Sequence, residues 1–402
     1  MEERAAMKLR LLAIGTHPVQ YMSPIFRRMA KHPRVELRVA YCSMLGAEAG
    51  HDPEFGREVK WDVPLLDGYE WVHVPNKGSG DETFWGFNNP GLKEIISDGE
   101  FDAVICLTGY ARASFWIARK AAKKACAAFL FGADAISLEA RDGKAWKKYV
   151  KRVIWPHIFG LADQVLAPST GTHDLMTSLG IPEDRITLTP YSVDNDWWME
   201  QAARVDRNAE RYKLGLKENE NAILFCAKFQ PWKRPMDLLQ AYAKARISES
   251  KLILAGEGPL REKLETEAAK LGIKDQVLFL GFINQSGLPA LYKAADLMVL
   301  PSSYDAFAVV VNEAMCCGCP VMASDKVGAA RDLVLPIAPD FVFPAKDVES
   351  LAAKLSVAMQ DRERLLQLKS AALAHIRTWS PESNVEGTIK AAEQAASRMR
   401  SS

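Results

Sequence analysis

The chain has 402 residues, 48% hydrophobic and 25% charged, with a net charge of +1. That length suggests two domains of ordinary size, each with its own core, and the composition excludes a disordered or collagen-like chain. The near-zero charge excludes a general affinity for nucleic acid and leaves electrostatic recognition to local patches. Seven cysteines, at 42, 106, 126, 226, 316, 317 and 319, show no paired metal spacing and no neighbouring histidines. They read as reduced packing residues, and no metal site is expected. Met1 to Arg10 is charged and has no long apolar run, which reads as neither a secretory leader nor a spanning helix; a cytoplasmic enzyme is the expectation.

In chain order, the first half offers apolar runs at Leu9–Gly15, Val35–Cys42, Ala103–Leu107, Ala127–Phe131 and Gln164–Pro168. The second offers Ala222–Ala227, Lys251–Ala255, Val277–Gly281, Leu297–Pro301 and Pro320–Ala323, each followed by a helix-like segment. Continuous apolar runs alternating with helices predict α/β architecture with parallel sheets covered on both faces. Ala162-Asp-Gln-Val-Leu-Ala-Pro-Ser169 and Ala295-Asp-Leu-Met-Val-Leu-Pro-Ser302 share Ala, Asp, Pro and Ser at the same spacing, which supports tandem Rossmann-like domains. The expected domains are 1–195 and 196–378, with a last helix, 379–402, crossing back to the first. Thr189–Asn221 is the expected hinge, and the ligand is expected beyond the carboxyl ends of the strands, in a cleft between the domains.

After the first strand, Gly15 leaves room for a close backbone approach, and His17 and Gln20 offer hydrogen bonds to a ligand. Thr108 and Arg112 follow another strand end, and Asp134 follows a third; a turn aspartate is the competing reading for Asp134. Over Lys144–Ile158, Trp146, Tyr149, Val150, Val153 and Ile154 recur at helical spacing, with Lys147, Lys148, Lys151 and Arg152 on another face. Such a stripe is expected to pack on the protein's own core; resting on anionic lipid is the alternative. Asp194-Asn195-Asp196 mimics a metal-binding triplet but sits at a domain end, and no metal is expected there. Gly256-Glu257-Gly258 lacks the third glycine of a dinucleotide fingerprint, which counts against a dehydrogenase.

The most informative stretch is Pro301–Ser324, which joins a strand, a loop with Asp305, a helix bearing Glu313 and a second strand. The helix is expected to start after Asp305, turning the amides of Ala306, Phe307, Ala308 and Val309 toward a diphosphate and placing Glu313 about two turns in. An N-capping role for Asp305 is the competing reading.

This stretch resembles the E-x7-E element of family-4 glycosyltransferases of the GT-B fold, with Asp305 replacing the first glutamate and Glu313 matching the second. Phe225-Cys-Ala-Lys-Phe-Gln-Pro-Trp-Lys-Arg-Pro-Met-Asp-Leu-Leu-Gln-Ala-Tyr242 is similar to that family's strand, loop and helix with two cations five residues apart, here Lys228 and Lys233. Leu254–Leu260, Val277–Phe282 and Ile186–Asp194 are similar in order and spacing. The likeness is specific over about residues 160 to 340 and architectural before that. Lysine stands at 228 where the family commonly has arginine, and no histidine follows Ala127–Phe131, leaving Asp134 as the ionisable candidate there.

The resemblance implies a nucleoside-diphosphate sugar as donor, no prosthetic group, no metal, and retention of anomeric configuration. Lys228 and Lys233 would stabilise the departing diphosphate, Asp305 would hold donor-sugar hydroxyls, and Glu313 the ribose. Gly256 and Gly258 would admit the nucleotide, with Phe282 and Ile283 flanking the base. Gly15, His17, Gln20, Thr108 and Arg112 would serve the acceptor or phosphate side. The acceptor would be a glycan, a lipid-linked glycan or a small molecule, reached in the cytoplasm or at the inner face of a membrane. A nucleotide-sugar epimerase of the same fold, and a relative that binds without turnover, are the alternatives.

Overall fold

A computed structural model describes residues 8–52, 57–139 and 144–401. The strands are β1 (Leu9–Gly15), β2 (Val35–Tyr41), β3 (Gly50–Asp52), β4 (Arg57–Val59), β5 (Glu70–His73), β6 (Ala103–Cys106), β7 (Ala128–Gly132), β8 (Gln164–Ala167) and β9 (Ile186–Leu188). They continue with β10 (Asn221–Cys226), β11 (Ser250–Ala255), β12 (Val277–Gly281), β13 (Leu297–Leu300), β14 (Val321–Ser324) and β15 (Val342–Phe343). One sheet runs β5, β2, β1, β6, β7, β8, β9 and another β12, β11, β10, β13, β14, β15, with every pairing parallel; β3 and β4 form a separate pair. Each large sheet starts in its middle, grows outward, and then reverses on the other side of its first strand.

The described residues within Met1–Gly50, Pro64–Tyr191 and Pro381–Ser402 form one compact unit, and those within His51–Val63 and Ser192–Ser380 form another. In the first unit, alternate strand residues feed two cores. Leu12, Ile14, Val104, Cys106, Phe129 and Phe131 face one way, and Leu11, Ala13, Ile105, Ala128 and Leu130 the other. This double burial is the reason for the continuous apolar runs. The helix Pro381–Ser401 covers the second face through Val385, Ile389, Ala392 and Ala395. Asn384 Nδ2 donates to the carbonyls of Thr189 and Pro190, at 3.1 and 2.9 Å. Gly387 permits the close approach, since a Cβ there would lie 2.7 Å from the Leu188 carbonyl oxygen.

The expected strands are present to within a residue or two. β3, β4, β5, β9 and β15 were not among the expected runs: each is short, β5, β9 and β15 lie at sheet edges, and β5 is mostly exposed, so none shows a long continuous apolar run. In the second unit, Arg211 is buried and bonds to the residues just before β13, donating to Asp296 Oδ2 at 3.1 Å and to the Ala294 carbonyl at 2.9 Å. The stretch expected as a hinge holds two helices, Asn195–Ala203 and Arg207–Lys213. Asn195, from the metal-like triplet, donates to the carbonyls of Ile376 and Trp379 at 3.0 and 3.3 Å, a packing role.

The stripe on the helix Ala145–Phe159 corrects an expectation. It does not pack on the core: Trp155, Ile158 and Phe159 near the carboxyl end are buried, while Trp146, Tyr149, Val150, Val153 and Ile154 are exposed. The buried trio falls on the opposite side of the helix from the stripe, because 100° per residue separates the two sets by about half a turn.

Candidate active site

In the second unit the strand order reverses between β10 and β13, so the loops leaving their carboxyl ends diverge and open a crevice, the usual ligand position in such sheets. Two loops tie together there. Ser303 N donates to the Trp232 carbonyl at 2.7 Å, and the Lys233 ammonium pairs with the Asp305 carboxylate, with side-chain exposures of 20% and 12%. Lys228 is half-buried in the same loop as Lys233. Arg234 adopts a left-handed conformation (φ 56°, ψ 40°) that turns the chain into the helix Pro235–Ala245.

Asp305 is not a helix cap. The helix Val310–Cys316 starts later than expected and opens at Val309 with no side-chain cap. Between Asp305 and that helix the chain pairs with the segment after β14: Asp305 N donates to the Lys326 carbonyl (3.1 Å), Gly328 N to the Asp305 carbonyl (3.1 Å), and Ala329 N to the Phe307 carbonyl (2.8 Å). Gly328 allows this pairing, since a Cβ would lie 2.1 Å from the Ala306 carbonyl oxygen. Ala308 then takes φ 77°, a left-handed value that costs an alanine about 1 kcal/mol. Ala306, Ala308 and Val309 are half-buried, and Phe307 is buried, stacked 6.2 Å from Trp379 at 11°.

The later helix start places Glu313 in the first turn and not two turns in. Its Oε2 accepts a hydrogen bond from the Tyr292 hydroxyl at 2.9 Å, and the same hydroxyl lies 3.5 Å from Cys226 Sγ. Burial pushes the Glu313 carboxyl up from its ordinary 4.5 to about 7, against the opposing pull of the Tyr292 bond. Tyr292 is a partner that sequence reasoning missed, because its helix, Leu288–Ala294, shows nothing but ordinary amphipathic packing.

Gly256 and Gly258 have φ 148° and 149°. A Cβ on Gly256 would lie 2.0 Å from the Ala227 carbonyl oxygen, and one on Gly258 2.9 Å from that of Phe229. The close approach these glycines permit is to the chain's own loop, and it fixes the backbone that carries Lys228. Phe282 and Ile283 follow β12, half-buried. Trp61 lies tilted against Phe282 at 6.1 Å, Asn284 Nδ2 donates to the Lys60 carbonyl at 2.9 Å, and Ser286 N donates to Asp62 at 3.1 Å. This second-unit segment gave no sequence sign of that placement.

In the first unit the order reverses between β1 and β6, and the residues after β1, β6 and β7 share the carboxyl ends of that sheet. A Cβ on Gly15 would lie 3.1 Å from the Tyr41 ring. His17 and Gln20 are half-buried. Thr108 is fully buried with its hydroxyl 3.2 Å from Cys106 Sγ, a packing position. The Arg112 guanidinium lies over the Phe87 ring at 4.5 Å. Asp134 keeps solvent access at the end of β7, yet the surrounding chain desolvates its carboxyl and raises its pKa. Tyr21 and Tyr191, edge to face at 5.7 Å, both feel the Asp134 charge. Neither tyrosine stands out in the sequence, since they are 170 residues apart.

Two parallel, doubly wound sheets, each reversing at its first strand, define a protein of the GT-B class. Two family models match in succession, "Glycosyl transferase 4-like domain" over residues 18–192 and "Glycosyl transferases group 1" over 206–375, and between them span most of the chain. The chain belongs to this glycosyltransferase family. It is 31% identical over 201 residues to an uncharacterized glycosyltransferase of Methanocaldococcus jannaschii, covering 49% of this chain and 51% of that protein. It is 28% identical over 260 residues to a D-inositol 3-phosphate glycosyltransferase of Nocardia farcinica, covering 62% and 56%. The chain thus spans about half the length of these curated relatives. Among solved structures, Anabaena HepE in complex with UDP and glucose shares the fold with a TM-score of 0.71 at 18% identity, covering 95% of this chain and 98% of that one. WaaG, a glycosyltransferase involved in lipopolysaccharide biosynthesis, gives 0.64 at 18%, covering 94% and 98%.

Proposed function

We propose that this protein transfers a sugar from a nucleoside-diphosphate sugar to a hydroxyl acceptor, with retained configuration and without a metal. The observation that carries the reading is the Lys233–Asp305 pair at the reversal point of the second sheet, with Lys228 on the same loop and Glu313 on the helix that follows Asp305. Cleaving the bond from the anomeric carbon to the diphosphate leaves a dianion, and two fixed cations in a partly desolvated site stabilise it as it forms. Donor entry would part the ion pair. The ammonium of Lys233 turns to the diphosphate and the carboxylate of Asp305 to the sugar hydroxyls, so each charge trades one partner for another and neither is left bare.

Glu313, as a carboxylate, would accept hydrogen bonds from the ribose through the oxygen that does not hold Tyr292. Phe282 and Ile283 would border the base. On the first unit, Asp134 would orient the acceptor or donor sugar, and Gly15, His17, Gln20 and Arg112 would serve the acceptor or phosphate side. The acceptor is a glycan, a lipid-linked glycan or a small molecule, and the reaction is placed in the cytoplasm or at the inner face of a membrane. Uridine nucleotides are the first donors to test, since HepE was solved with UDP and with UDP-glucose.

The experiment screens thermal stabilisation by UDP, GDP, ADP and TDP, then assays the matching sugar nucleotides with and without acceptor. Lys233→Ala is expected to lower turnover at least ~100-fold, the loss typical of one electrostatic contact to a developing charge, while staying folded. Wild-type turnover in that variant would overturn the assignment. Consumption of the donor in the absence of acceptor would favour an epimerase, and binding of every donor without turnover a non-catalytic relative.

A further inference from the structure

The helix Ala145–Phe159 presents Trp146, Tyr149, Val150, Val153 and Ile154 to solvent, at 59%, 72%, 41%, 67% and 45% exposure. Their spacing of three, four, seven and eight residues from Trp146 puts all five on one face. An amphipathic helix of a soluble domain turns that face inward. Here the inward side is instead the one with Trp155, Ile158 and Phe159, and the Trp155 indole donates to the Tyr110 hydroxyl at 2.7 Å. The apolar face is therefore an outward surface, held by a separate anchor.

Charge selects what covers it. From Lys144 to Phe159 the helix and its cap carry Lys144, Lys147, Lys148, Lys151 and Arg152 and no acidic residue, although the whole chain is nearly neutral. On the helical wheel Lys147 and Arg152 flank the two edges of the apolar face, where their stems can lie along it with the charges at its rim. The Lys147 ammonium already lies 6.0 Å from the centre of the Trp146 ring. A tryptophan and a tyrosine on an apolar face rimmed by cations match the headgroup boundary of an anionic bilayer, where apolar burial and attraction to the lipid charge add. Among the described residues no helix is long and apolar enough to cross a membrane.

We propose that the Trp146–Ile154 face docks this protein on the surface of an anionic lipid bilayer. The inference does not rest on the donor-site assignments. The test is sedimentation of the full chain with vesicles of phosphatidylcholine, with and without phosphatidylglycerol, at low and high salt. Wild type is expected to bind the phosphatidylglycerol vesicles on the order of tenfold more than the neutral ones, and less so in high salt. Combined Trp146→Ser, Tyr149→Ser and Val153→Ser should reduce binding on the order of tenfold while the melting temperature and the nucleotide-induced thermal shift stay at wild-type values, because these side chains make little of the fold. Lys147→Glu with Arg152→Glu should abolish the preference for anionic vesicles. No binding to either vesicle, or equal binding by the triple variant, would overturn the proposal. So would self-association in sedimentation velocity that the triple variant abolishes in the absence of vesicle binding, since the face would then be an interface between copies of this chain.

Discussion

Replacing Glu313 by glutamine separates the fold's interest from the site's. The isosteric amide oxygen can still accept the Tyr292 hydroxyl hydrogen bond, so the change removes a charge and little else. In the folded chain burial raises the carboxyl to about 7 from an ordinary 4.5, while the unfolded chain keeps the lower value. Below pH 4.5 both states are protonated and the residue is neutral toward stability. Between 4.5 and 7 the unfolded state alone releases its proton, so wild-type stability falls as pH rises through this window and levels off above it. The interval from 4.5 to about 7 corresponds to roughly 3 kcal/mol, an upper bound because the side chain keeps some contact with water. Glu313→Gln should therefore match wild type near pH 4.5 and exceed it by up to about 3 kcal/mol at pH 8. For a unit of this size that is a rise on the order of 5–10 °C in the melting temperature. Denaturant titrations at a series of pH values read the difference directly, and a parallel UDP titration should show the stabilised variant binding nucleotide more weakly. A variant less stable than wild type at pH 8, or a difference that does not change with pH, would refute the reasoning.

Three further outcomes are expected. Gly256→Ala should cost roughly 3 kcal/mol or more in urea denaturation, because its Cβ collides with the Ala227 carbonyl at a φ that alanine avoids; a loss under 1 kcal/mol would show that the loop carrying Lys228 yields freely. Ala308→Gly should raise stability by up to about 1 kcal/mol through relief of the left-handed backbone, and an unchanged or lower denaturation midpoint would show that no strain is held there. Asp134 has a raised pKa, so the acid limb of kcat/KM should lie above the ordinary aspartate range and disappear in Asp134→Asn; a limb that survives the substitution belongs to another group.

Much of the architecture was legible in the sequence, because parallel strands buried on both faces must be apolar at every position, and runs such as Ala222–Ala227 are visible without any partner. The two cations of the β10 loop, the aspartate of the β13 loop and Glu313 were legible as candidates through a motif whose spacing is local. What was not legible depends on neighbours supplied by other elements of the fold. Tyr292 meets Glu313, Trp61 meets Phe282, and Tyr21 meets Tyr191 beside Asp134, and no short-range pattern marks any of these residues.

The sequence by itself determined the alternation of strands and helices and the residues able to carry charge at strand ends, since those follow from periodicity and chemistry over a few residues. The tertiary structure alone decided which charges are paired, how far burial lifts the Glu313 carboxyl, and that the apolar stripe of Ala145–Phe159 looks outward and not in. Pairing and desolvation depend on distances between separate segments, 72 residues apart for Lys233 and Asp305 and 21 for Tyr292 and Glu313, and the direction an amphipathic helix faces depends on which of its sides finds a packed partner. Neither quantity has a local signature, because each is set by the folded neighbourhood and not by the residue's own chemistry.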